Sequence, residues 1–159
     1  MLIRPATDDD APFLRAMLYE AARWNPEWPR EPIEQVLAEP ALWRYHAAWG
    51  RPGDGGVVAE LDGAPAGAAW YRLFPAAEPG YGFVDEATPE LAMAVALPHR
   101  RKGIGSRLIR AAMDRARADG FRALSLSVAA ANPARELYRR AGFADIGEHG
   151  GSWTMRATL

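Results

Sequence analysis

The chain contains no cysteine. That absence removes disulfides, thiolate metal sites and a cysteine nucleophile together. It has no apolar run of membrane-spanning length, and its first residues, Met-Leu-Ile-Arg-Pro, lack the charged-then-apolar pattern of a secretory signal. The expectation is a cytoplasmic protein with no membrane partner. There is no large charge of either sign: the formal net charge is −1. Bulk electrostatics therefore give no reason to expect a nucleic-acid partner, and any basic site must be local. Internal repeats and low-complexity linkers are also missing.

What remains is ordinary for a globular protein. With 159 residues, 49% hydrophobic and 25% charged, the chain can bury a sizeable core. One domain over residues 1–159 is the simplest organisation.

Hydrophobic periodicity gives the order of elements. Residues 2–4 read as a short strand. Thr7 and Asp10 have capping-box spacing before a helix carrying Phe13, Leu14, Met17, Leu18 and Ala21. Trp24-Asn-Pro-Glu-Trp-Pro ends that helix, and a short one follows Pro32. Residues 39–56 read as a loop-rich connection. Strands at 57–61 and 65–74 flank Asp62-Gly63, a strong hairpin signal. After a loop over 75–88, a strand is expected at 91–97. A long amphipathic helix starts near Lys102 or Gly103, with Ile104, Leu108, Ala112 and Ala116 in steps of four and Gly120 suited to its end. A strand at 123–128 follows. Asn132-Pro133 then opens a short helix that ends at Gly142, and a final hairpin turns at Gly150-Gly151.

The segment Val-Ala-Leu-Pro-His-Arg-Arg-Lys-Gly-Ile-Gly-Ser, residues 95–106, carries most of the chemistry. It leads from an apolar strand through three cations into two glycines that open the long helix. Helix-start amides lack intrahelical acceptors, and the helix dipole adds positive potential there, so this order builds an anion site. A P-loop spacing is absent. The dinucleotide fingerprint lacks its third glycine, because Leu108 stands in that place, and no acid follows at the end of the next strand. A basic nucleic-acid patch at Arg100, Arg101, Lys102 and Arg107 is the other alternative.

Arg100-x-x-Gly103-x-Gly105, lying between a strand and a helix, resembles the acyl-CoA pyrophosphate loop of the GNAT superfamily of N-acetyltransferases. Asn132-Pro-Ala-Arg-Glu-Leu137-Tyr138-Arg-Arg-Ala-Gly142-Phe143 resembles that family's second signature. The family alanine falls at Arg135, and the usual glycine after the first arginine of the loop is Arg101. The core of the resemblance spans about residues 88–148.

The resemblance implies an α/β (α+β) fold. Its centre is a mixed, mostly antiparallel twisted sheet of six to seven strands flanked by about four helices. It implies an enzyme that moves an acetyl group from acetyl-CoA, a co-substrate, to a primary amine by direct transfer, with no metal. The acceptor is a small-molecule or peptide amine. Met93 and Val95 would pair with the pantetheine arm. Arg101, Lys102, Gly103, Ile104, Gly105 and Ser106 would cradle the pyrophosphate, with charge from Arg100, Arg101 and Lys102. Asn132 would contact the pantetheine. Tyr138 is the candidate general acid and Glu90 the candidate base, acting through water. A homodimer paired through C-terminal strands is a further expectation. The alternative is a non-catalytic acyl-CoA-binding or regulatory module of the same fold.

The acceptor pocket is expected from the Trp24–Trp49 region, Trp70 and Tyr71, and the loop through Tyr81 and Phe83. Glu78, Asp85 and Glu86 are candidates for attracting a cationic amine. His46, His99 and His149 read as spectators.

Overall fold

The computed structural model describes residues 1–159. β1 (Leu2–Pro5) leads through a 3-10 turn at Asp8–Asp10 into α1 (Ala11–Ala22). The Thr7–Asp10 capping box forms, and Arg4 holds the Asp10 carboxylate at 2.8 Å. Two short helices follow, α2 (Ile33–Leu37) and α3 (Pro40–Trp43); the second lies inside the stretch expected to be loop. Pro40 supplies its first residue, where a missing N–H costs nothing.

β2 (Gly55–Leu61) and β3 (Ala64–Arg72) form the expected hairpin. Asp62 and Gly63 both take positive φ, +52° and +80°, as a two-residue turn with matching twist requires. β4 (Glu90–Val95) begins one residue before the expected strand and ends two earlier, because Leu97–His99 turns as a 3-10 helix. Then come α4 (Ile104–Ala118), β5 (Ala123–Ala129), α5 (Ala134–Ala141), β6 (Ala144–His149) and β7 (Ser152–Thr158).

The seven strands form one sheet in the order β1-β2-β3-β4-β5-β7-β6. Every neighbouring pair is antiparallel except β4 and β5. Helices cover both faces. α4 lays Ile104, Leu108, Ile109, Ala112 and Ala116 on one face, joined by Tyr138 of α5. α1 and α2 place Leu14, Met17, Leu18, Val36 and Leu37 on the other, against Val58, Ala68, Trp70 and Ala94. A fully buried leucine such as Leu108 is worth about 2–5 kcal/mol against alanine.

The parallel pair decides the function of the sheet. β4 and β5 meet at a single register position, Glu90 with Ser125, and then part. Each is already tied on its other side, β4 to β3 over six residue pairs and β5 to β7 over seven. The split leaves two open strand edges in the middle of the molecule.

Candidate active site

A cleft of about 840 Å³ fills the split. β4 lines one edge. Alternate residues of an antiparallel strand direct both backbone groups to the same neighbour. Ala96 N–H bonds Ala66 O at 2.8 Å, so Glu90, Ala92 and Ala94 turn toward β3. Met93 and Val95 therefore turn away from β3 and into the cleft. β5 obeys the same rule: Leu159 N–H bonds Arg122 O and Ala130 N–H bonds Gly151 O, which leaves Ser127 and Ala129 facing β4.

At one end of the cleft stands the start of α4. Arg101 and Gly103 adopt left-handed φ of +62° and +78° on either side of Lys102. Such alternation turns successive amides inward as an anion-binding nest. The backbone amides of Arg101 through Ser106 have no acceptor in the protein. Six consecutive unpaired donors beside a helix N-terminus fit a pyrophosphate. Gly103 reaches its φ without strain, whereas Arg101 pays about 1–2 kcal/mol for a conformation a glycine would take freely.

The three cations of this loop divide. Arg101 lines the cleft, and Lys102 does not. Arg100 is spent on structure: Nε donates to Val95 O at 3.0 Å, and the two terminal nitrogens reach Trp24 O and Glu20 Oε2, each at 3.0 Å. Its amide donates to Leu97 O. Arg100 also lines the cleft, and an acid and two carbonyls brace it there.

Asn132 caps α5: its Oδ1 accepts the Ala134 N–H at 2.9 Å. Pro133 stays helical in φ/ψ but outside the helix proper, one residue off the expected boundary. The capping oxygen leaves the Asn132 amide nitrogen for the cleft it lines. Gly142 closes α5 at φ +107°, and Phe143 N–H returns to Tyr138 O at 3.0 Å. That closure holds Tyr138, whose ring meets Phe143 edge-on at 6.0 Å. The Tyr138 side chain is buried on the cleft wall, and burial pushes its phenol up to about 12.

Glu90 sits on the cleft wall at the vertex of the split, 2% exposed. Its Oε1 accepts the Gly82 N–H at 3.0 Å, and its Oε2 accepts the Tyr45 hydroxyl. The Tyr45 oxygen in turn accepts the Tyr81 N–H at 2.8 Å. Burial pushes the Glu90 carboxyl up to about 7, against the pull of the Tyr45 and Gly82 hydrogen bonds. The same burial, beside this acid, raises Tyr45 well above an ordinary phenol, so Tyr45 is the donor of the pair.

Sequence reasoning missed Tyr45. It lies 45 residues from Glu90 in a stretch read only as loop. The fold pins its backbone from β3: Trp70 Nε1 donates to Tyr45 O at 2.9 Å. Buried Arg72 holds the Arg44 and Ala47 carbonyls, each at 2.8 Å, and pairs with Asp54 at 2.6 Å. Gly80 and Gly82 let the facing loop approach: a Cβ on Gly80 would meet Glu90 and Tyr45, and one on Gly82 would meet the Leu126 carbonyl.

The expected acceptor walls are partly corrected. Trp24, Leu42, Tyr45 and Tyr81 line the cleft. Trp70 and Tyr71 are fully buried behind it. Trp49 donates to Thr7 O, and Phe83 packs into the core instead. Asp85 and Glu86 are used inside their own loop, accepting from Ala87 and Ala76. Neither they nor Glu78 line the cleft. No group of His, Asp and Glu is arranged to hold a metal ion.

Comparison with known proteins agrees with this geometry. Residues 15–143 match the model of the acetyltransferase (GNAT) family. No curated protein sequence matches the chain. Among solved structures, the chain is similar to a ribosomal-protein-alanine N-acetyltransferase from Brucella melitensis, at 27% identity and a TM-score of 0.71, with all of both chains covered. It is similar in fold to a phosphinothricin acetyltransferase from Sinorhizobium meliloti in complex with acetyl-CoA, at 22% identity and TM-score 0.69, covering 99% of this chain and 88% of that one. A PaiA N-acetyltransferase from Thermoplasma acidophilum in complex with coenzyme A shares the fold at 17% identity and TM-score 0.69, with both chains fully covered. The family model spans most of the chain, and the split sheet bears it out: this protein belongs to the GNAT family of acetyltransferases.

Proposed function

We propose that the protein transfers the acetyl group of acetyl-CoA directly to a primary amine, with both substrates held at once. The observation that carries this reading is one cleft with three fittings. It has six unpaired amides at one end, an open strand edge along its side, and a buried carboxyl and phenol further in. Solved relatives of the same fold that hold acetyl-CoA or coenzyme A support the donor.

Acetyl-CoA supplies the activated acetyl thioester; the chain supplies the rest. The amides of Arg101 to Ser106 hold the diphosphate, with charge from Arg101. The Met93 and Val95 edge takes the pantetheine amides as an added strand, and a backbone N–H there polarises the thioester carbonyl. The Asn132 amide nitrogen donates to the same arm. Glu90 accepts the amine proton, directly or through water, so that the nitrogen attacks as a free base. The C–S bond breaks, and the Tyr138 hydroxyl gives its proton to the departing sulfur. A phenol held near 12 stays protonated throughout the neutral range, as a donor must. No covalent enzyme intermediate is needed, in keeping with a chain without cysteine.

Thiol release from acetyl-CoA across a panel of amines tests this. Amine-dependent release supports the enzyme. Tight acetyl-CoA binding with no release from any amine would instead support a non-catalytic acyl-CoA-binding module.

A further inference from the structure

The cleft also carries information about the acceptor. Its charged lining consists of Glu20, Glu90, His99, Arg100 and Arg101. Glu20 is already held by Arg30 at 2.5 Å and Arg100 at 3.0 Å. Arg100 is committed as described above, and His99 and Arg101 belong to the loop that leads into α4. That leaves Glu90 as the one charged group at the vertex. Tyr45 bonds it and Tyr81 stacks on Tyr45 at 6.3 Å, 56% exposed, while Leu18 and Leu42 are apolar residues of the same cleft lining. The two arginines behind this wall are not free: Arg44 donates to the Pro79 and Pro40 carbonyls, and Arg72 is sealed with Asp54.

From this we infer that the acceptor is a primary monoamine with an apolar or aromatic body and no acidic group. The inference rests on the acetyltransferase reading. The amine nitrogen is drawn to Glu90, and its body lies against Leu18, Leu42 and the Tyr45–Tyr81 stack. An amino acid brings a carboxylate next to Glu90 with no cation to receive it. Like charges and an unpaired buried acid both oppose that complex. A polyamine brings a second ammonium, and the only other cleft carboxylate already serves two arginines. An extended peptide would have to pass the Tyr81–Gly82 backbone, which is pinned to Tyr45 and Glu90 and lies so near Leu126 and Ser127 that a Cβ on Gly82 would clash with them.

The experiment compares kcat/KM for 2-phenylethylamine, L-phenylalanine, spermidine and an alanine-initiated hexapeptide, with acetyl-CoA binding measured separately by calorimetry. Phenylethylamine is expected to exceed phenylalanine by about a hundred-fold, since the two differ only in the carboxylate. Leu42→Arg, on a partly exposed wall position, should narrow that gap about tenfold by supplying the missing cation. Preference for phenylalanine, spermidine or the peptide, or no turnover of any of the four while acetyl-CoA binds, overturns the acceptor class. Failure of acetyl-CoA to bind overturns the acetyltransferase reading itself.

Discussion

The two ends of the cleft are built by different means. The α4 end is made of backbone. Its donors come from six consecutive residues, Arg101 to Ser106, and its shape from two left-handed φ values. The vertex is made of two side chains from distant segments, Tyr45 and Glu90, held by the backbone amides of Tyr81 and Gly82. A backbone site tolerates side-chain change and answers to conformation. A side-chain site answers to single atoms and to pH.

The largest effect is expected at Tyr138. Replacing it with Phe removes one hydroxyl and should lower turnover roughly ten- to a thousand-fold with little change in acetyl-CoA affinity. Unchanged turnover would remove Tyr138 from the mechanism.

Next in size is Glu90→Gln, which should cost turnover about a hundred-fold while sparing acetyl-CoA binding. It also carries a stability signature. The folded Glu90 carboxyl lies near 7 against an ordinary value of 4.5, so protonation favours the fold. That stabilisation is complete below about pH 4.5 and is lost as pH rises through about 7. The variant should therefore gain stability over wild type above pH 7 and not below pH 4.5. Melting temperatures at pH 4.5 and 8 check the sign.

Tyr45→Phe sharpens the contrast more finely. It deletes a hydrogen bond that pulls the Glu90 carboxyl down, so the acid limb of the rate–pH profile should move to higher pH. Activity at pH 7 should fall about tenfold and largely return at higher pH, a recovery that loss of folding would not give. Identical profiles for the variant and wild type would leave Tyr45 as packing alone.

Smallest is the backbone end. Gly103→Ala places a Cβ on a residue at φ +78° with open space around it, so the penalty is conformational, about 1 kcal/mol or roughly fivefold in acetyl-CoA affinity. The pH profile should not move. A shift there would mean that the two ends are not separable.

The legibility of the chain follows the same division. The α4 end could be read from residues 95–106 because helix-start chemistry is local. So could the Asp62-Gly63 turn, the Asn132 cap and the Gly142 closure, each a matter of a few neighbouring φ/ψ angles. Glu90 and Tyr138 were reached only through the family resemblance. Trp70 and Tyr71 looked like pocket walls because aromatic residues on a hairpin give no sign of which side the helices cover. Nor does the sequence show that Arg100 is braced by Glu20 and the Trp24 carbonyl, some 80 residues earlier. Those contacts have no local sequence signal.

By itself, then, the sequence determined most of the elements, α3 and the 3-10 turn after β4 excepted, together with their order and the anion-binding start of α4, because propensity, capping and periodicity act over a few residues. The tertiary structure alone decided that β4 and β5 meet once and part, that Tyr45 reaches Glu90, and that Glu90 is the acid standing at the vertex. Each of these depends on strand pairing and burial between segments far apart in the chain. Burial is also what moves Glu90 from a surface acid to a carboxyl poised near neutrality.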